Sequence, residues 1–142
     1  MEQIFSMANY RGEGVSLPVN LWIDEGKEYV RGQHSKRIKF QLDYAKQIHE
    51  WNFAPMTLDG EVPVDINIPT NKITMKDVKM VRNFVHNNKY ALDKLADMII
   101  VDDEWKQVMI KGGKPATEEQ IQEQKDKVDM FISNSEEDNV IE

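Results

Sequence analysis

Residues 62–85 read Val62-Pro63-Val64-Asp65-Ile66-Asn67-Ile68-Pro69-Thr70-Asn71-Lys72-Ile73-Thr74-Met75-Lys76-Asp77-Val78-Lys79-Met80-Val81-Arg82-Asn83-Phe84-Val85, and within this stretch the apolar period changes. Val62, Val64, Ile66 and Ile68 recur at every second position, the spacing that lines one face of a strand. After Thr74, the residues Val78, Val81, Phe84 and Val85 recur at three and four, the spacing of one helical face. The Thr74 hydroxyl is placed to cap that helix, and Asp77 falls at the positive end of its dipole. A chain that alternates before this stretch and is helical after it belongs to the α+β class. The expectation is an antiparallel sheet or small open barrel over about residues 15–68, covered by helices over about 74–111, since each apolar face needs the other for burial.

Upstream, Val15, Leu17, Val19, Leu21 and Ile23 share one parity and predict a strand over Val15–Asp24; Pro18, on the other parity, suggests a sheet edge. Glu25-Gly26 supplies a turn, after which Lys27 to Arg31 can pair back as a short hairpin. Arg37 to Leu42 alternates, with Ile38, Phe40 and Leu42 on one face and Arg37, Lys39 and Gln41 on the other. Phe53 to Leu58 and Glu61 to Ile68, joined by Asp59-Gly60, read as a hairpin. Four or five antiparallel strands result, with Pro63 again marking an edge or bulge.

Downstream, Asn87-Asn88 interrupts the helical face, and Ala91, Leu92, Leu95, Met98 and Ile99 resume it, as a helix hairpin or one bent helix. Asp102-Asp103-Glu104 opens a short helix holding Trp105, Val108 and Met109, which stops at Gly112-Gly113. Lys114-Pro115 links residues 1–116, one α+β domain, to residues 117–142, an amphipathic helix and acidic flexible tail. Thr117-Glu118-Glu119-Gln120 has the capping-box pattern, the helix has only Ile121, Val128, Phe131 and Ile132 as its apolar seam, and after Asn134 no structure is expected.

The charge of -7 lies entirely in the last 26 residues, where nine carboxylates face Lys125 and Lys127; residues 1–116 carry 16 acids and 16 bases. At 142 residues the chain can bury roughly two thirds of its unfolded surface in one core. Without cysteine it has no disulfide, thiolate metal site or cysteine nucleophile. No apolar run approaches the ~20 residues of a membrane span, and the first residues lack a basic-then-apolar leader, so a cytoplasmic protein without membrane contact is expected.

Two candidate surfaces follow. Lys27, Arg31, His34, Lys36, Arg37, Lys39 and Gln41 make a basic stripe, and Trp22 falls on the parity opposite its apolar neighbours. Cations beside exposed rings suit single-stranded nucleic acid, whose bases stack while its phosphates meet the charges. An ordinary solvated strand face explains the same residues. The second surface is the seam Ile121, Val128, Phe131 and Ile132, thin enough that the helix either lies loosely on the body or docks on another protein.

Neither catalytic residues, nor metal ligands, nor a cofactor are expected. His34, His49 and His86 are too far apart to form a local ligand pair. Asp102-Asp103-Glu104 is explained by the helix dipole. The serines lack the context that exposes a nucleophile, and Lys111-Gly112-Gly113-Lys114 lacks the spacing of a phosphate loop.

The segments Leu17–Asp24, His34–Gln41, Val62–Ile68 and Val81–Asn88 together resemble a family of small uncharacterised bacterial proteins, some of them from toxin–antitoxin-type loci. That family carries several histidines around its second strand; here only His34, in Gln33-His34-Ser35-Lys36-Arg37, stands there. The Lys/Asn/Ile-rich style is similar to that of accessory proteins of gut bacteria and their phages. The ending Asn139-Val140-Ile141-Glu142 resembles the acidic tails of single-stranded-DNA-binding proteins, which recruit partners and compete with nucleic acid. The resulting expectation is a non-enzymatic accessory protein acting through protein partners or self-association. The alternative is a single-stranded nucleic-acid binder with a competing tail.

Overall fold

The structure, a computed structural model, describes residues 7–24, 36–44, 52–64, 66–69 and 71–140. Four strands, β1 (Met7–Tyr10), β2 (Leu21–Asp24), β3 (Arg37–Gln41) and β4 (Phe53–Thr57), form one open antiparallel sheet in chain order. Register runs through Tyr10↔Leu21, Leu21↔Phe40 and Phe40↔Ala54. Leu21, Ile23, Ile38, Phe40, Ala54 and Met56 are all buried to within 1%. Pro55 is accommodated because β4 is an edge strand, where a missing N–H interrupts no second ladder.

Among the described residues five helices complete the fold: α1 (Gly12–Val15), α2 (Met75–Asn87), α3 (Lys89–Ala96), α4 (Asp102–Val108) and α5 (Glu118–Val140). The expected α2 cap is present in both halves: Asp77 N–H donates to Thr74 Oγ1, and Thr74 N–H donates to Asp77 Oδ2. Val78, Val81, Phe84 and Val85 of α2, Leu92 and Leu95 of α3, Trp105 of α4 and Val128 of α5 join the strand residues in one core. This is the α+β architecture anticipated from the change of period.

Several boundaries differ from the sequence expectation. Val15–Asp24 is not one strand: Gly12–Val15 forms a helical turn ending at Ser16 in the left-handed region, and only Leu21–Asp24 is paired. The alternating residues Val15, Leu17 and Val19 are buried nonetheless. Glu61 to Ile68 is not a strand among the described residues. Its ladder stops at Thr57 N–H to Glu61 O, after which Ile66 N–H turns back to Pro63 O. Pro63 and Pro69 remove the donors a return strand would need, and Val64 is fully exposed. The Asp59-Gly60 turn is real: Gly60 has φ +87, and an added Cβ would meet Arg82 Cγ at 2.7 Å. The hairpin expected over Lys27 to Arg31 lies outside the described residues.

The asparagine pair breaks the helix at a single residue. Asn88 has φ -112 and ψ 13, while Lys89 starts α3 directly after it. The apolar face then ends earlier than its spacing suggests. α3 stops at Ala96, and Met98 and Ile99 are exposed, with Ile100 buried in their place. α5 departs most: the segment after Asn134, expected without structure, continues the helix to Val140.

Candidate functional site

Within the described part of the basic stripe, Lys36 and Lys39 are committed to the protein's own structure. Lys36, just before β3, places its Nζ 2.6 Å from Asp93 Oδ1 and 2.6 Å from Asp97 Oδ2 on α3. Partial burial opposes the charge, but the hydrogen bonds and charges of the two carboxylates outweigh it and raise the Lys36 pKa. Lys39 lies 4.4 Å from the centre of the Phe53 ring, and burial, with Arg37 second, lowers its pKa. Arg37 shares that sheet face, opposite Thr57.

Gln41 and Trp22 do not belong to an exposed stripe. Gln41 is fully buried, accepting from Asn20 Nδ2 at 3.2 Å and donating to Asp43 Oδ1 at 2.7 Å. A buried amide must find partners, and this chain of side chains supplies them. Trp22, in register with Lys39, is only 6% exposed and packs tilted against Phe53 at 6.1 Å, so its face is closed to a stacking base. Lys27, Arg31 and His34 lie outside the described residues.

The seam on α5 is likewise used internally. Val128 is fully buried, and Phe131 and Ile132 are partly buried against the same core; Ile121 is half-buried. Gln124, on the same side, donates to Asn88 Oδ1 and to Val108 O. Val128, Phe131 and Ile132 therefore hold α5 to its own body, while Ile121 lines the cleft beside it.

A cleft of about 510 Å³ opens between α2–α3 and α5, lined by residues that include His86, Lys89, Tyr90, Asp93 and Lys125. Its polar groups pair outward: Tyr90 donates to Asp129, Lys89 pairs with Asp59, and Asp93 with Lys36. Lys94 and Lys125 stand 5.1 and 5.9 Å from the Tyr90 ring. Among the described residues, no three His, Asp or Glu side chains are placed to hold a metal ion, and no helix is long and apolar enough to cross a membrane.

The turn between α3 and α4 is the surface that sequence reading missed. Met98 is 59% exposed, Ile99 43% and Val101 59%, while Ile100 between them is 1% exposed and anchors the turn in the core. One buried residue thus holds three apolar neighbours in water, where large side chains are ordinarily scattered singly. The signal was present: Met98-Ile99-Ile100-Val101 is a run of four apolar residues, more than one helical face can bury.

The Lys36 contacts make a checkable claim. Lys36→Met should destabilise the fold by about 1 kcal/mol, the upper end for a solvent-touching pair, because two carboxylates lose their shared cation. A raised lysine pKa contributes stability that is complete below about pH 10.4 and lost as pH rises through the raised value. Urea midpoints of the parent protein should fall above pH 10, and the variant should show less of that fall; equal alkaline losses would refute it.

No protein-family model matches this chain, and neither a curated protein nor a solved structure matches it.

Proposed function

We propose that this is a non-enzymatic accessory protein that acts by binding another protein. The observation that carries the reading is the exposed apolar turn, Met98, Ile99 and Val101 held out of the core by Ile100. Exposed apolar groups cost solubility unless a partner covers them, and a rigid cluster is the kind of feature an interface uses as its centre. The test is purification of the tagged chain from cells that produce it, followed by reconstitution from purified components. A protein that stays in constant ratio through two columns and re-forms the complex is expected. Loss of every companion protein, with the purified chain alone in solution, would overturn the reading.

The nucleic-acid alternative loses support where Lys36 is paired and Trp22 and Gln41 are buried. Among the described residues, what remains for it is Arg37 and Lys39 beside Phe53. Those two cations by themselves would give a log–log salt slope of only about -1.4, at roughly -0.7 for each neutralised phosphate. Fluorescence anisotropy of a labelled single-stranded oligonucleotide at low salt should therefore show no saturable binding. Binding that saturates and that Arg37→Ala with Lys39→Ala abolishes would reinstate the alternative.

A further inference from the structure

Resting on the protein-binding reading, we propose that the Met98–Val101 turn is the docking element, and that its partner presents an apolar pocket flanked by lysine or arginine side chains. The argument begins with the backbone. α3 ends in a Schellman arrangement: Met98 N–H donates to Leu95 O at 3.0 Å, and Ile99 N–H donates to Lys94 O at 2.9 Å. The residue at the turn takes the left-handed conformation, here φ +61. Glycine adopts that conformation without strain, and asparagine tolerates it; a long side chain with a Cβ takes it only at a cost. Met98 thus stands, exposed, where glycine would stabilise the fold, and an observed backbone outlier of this kind points to function.

The far end of the turn is pinned as well. Val101 N–H donates to Glu104 Oε1 at 3.0 Å, and Trp105 N–H donates to Val101 O at 2.9 Å. With Ile100 in the core, the three exposed side chains sit on a backbone that is fixed before binding, so little ordering entropy opposes association. The flexible thioether of Met98 lets the tip adapt to a pocket's shape.

Charge selects the occupant. Among the described residues, Asp93 and Asp97 share the ammonium of Lys36, a trio that carries one net negative charge on that side. On the other side Asp102 is paired with Lys106, Asp103 is exposed, and among the described residues the Glu104 carboxylate accepts from a neutral backbone N–H. An apolar tip with this acidic surround repels a second copy of the chain, which would bring the same charges face to face. A cationic rim around an apolar pocket complements it.

The experiment is selection of short random peptides displayed on phage against the immobilised full chain, with counter-selection on the Ile99→Asp, Val101→Asp double variant. Enriched peptides should combine apolar residues with Lys or Arg, and should bind the double variant roughly tenfold more weakly or worse. Met98→Gly separates docking from folding. It should raise the thermal midpoint by about 3 °C and still weaken the selected peptides several-fold. Peptides that bind the double variant equally well, or that carry acidic residues, overturn the assignment while leaving partner binding elsewhere on the surface intact. A parent protein that sediments as a dimer, with Ile99→Asp monomeric, overturns it in favour of self-association. A Met98→Gly variant that is no more stable than the parent removes the strain on which the assignment rests. Failure to enrich any peptide overturns it too, and the reconstitution described above then decides separately whether protein binding survives.

Discussion

Asn88→Ala should lower the unfolding free energy by about 3–4 kcal/mol, a large share of the ~5–15 kcal/mol that holds a domain of this size together. Asn88 is fully buried, and its amide is the meeting point of three segments. Nδ2 donates to Phe84 O at 2.8 Å and to Ile110 O at 2.9 Å. Oδ1 accepts from Ile110 N–H at 2.8 Å and from Gln124 Nε2 at 2.8 Å. Alanine would strip Ile110 of both its partners here, while Phe84 O and Gln124 keep others, Asn88 N–H and Val108 O. Ile110 is only partly buried, so each of its two unpaired groups costs near the lower end of about 1–3 kcal/mol, and the bonds lost to Phe84 and Gln124 supply the rest.

The same contacts explain why Asn88 interrupts the helix. Its side chain serves the strand-like segment after α4 as well as α5, and its backbone leaves the helical region to allow this. Asn87 and Asn83 add to the arrangement: Asn87 donates to Lys114 O and accepts from Ala116 N–H, and Asn83 donates to Gly113 O. Urea unfolding followed by tryptophan fluorescence measures the effect. Asn83→Ala, with one bond lost, should cost about 1 kcal/mol; if Asn88→Ala costs no more than that, the hub is not the organising element.

How much of this was legible depended on whether the signal was local. The Thr74 cap, the α2 face and the alternation of Ile38 and Phe40 are patterns of neighbours in sequence, and each appears as read. Gln41 shows the limit: parity assigned it to the outer face with Arg37 and Lys39, yet it is buried because Asn20 and Asp43 satisfy its amide. Trp22 likewise follows its parity, but Phe53, 31 positions along the chain, covers its ring. Lys36 meets carboxylates 57 and 61 residues away, a pairing no spacing rule reaches. The end of α3 was hidden for a different reason. Helix ends announce themselves by glycine, and here methionine occupies that place, so the apolar run read on as helix and concealed the exposed turn.

Trp105→Ala should cost about 4 kcal/mol, while Trp105→Phe should cost no more than about 1.5 kcal/mol, and the contrast matters more than either value. Among the described residues Trp105 is the largest fully buried side chain, packed edge-on to Phe84 with ring centres 6.5 Å apart. Alanine removes the bulk that joins α4 to the α2 face and leaves a cavity among residues already close-packed on both sides. Phenylalanine keeps one ring and the aromatic contact, which is worth about 0.5–1.5 kcal/mol beyond its area. It also deletes an indole N–H that has no hydrogen-bond partner among the described residues. A buried donor without a partner costs about 1–3 kcal/mol, so its removal offsets much of the lost packing. Chemical denaturation of the two variants, monitored by far-ultraviolet circular dichroism because a tryptophan probe is lost, gives both numbers. A phenylalanine variant nearly as unstable as the alanine variant would mean that the indole nitrogen is satisfied in solution and that Trp105 contributes through that bond rather than through bulk. With α4 loosened in the alanine variant, the Glu104 contact that fixes Val101 should weaken as well. Peptides selected on the Met98–Val101 turn should then lose affinity to the alanine variant and keep it to the phenylalanine variant, tying the core to the surface it supports.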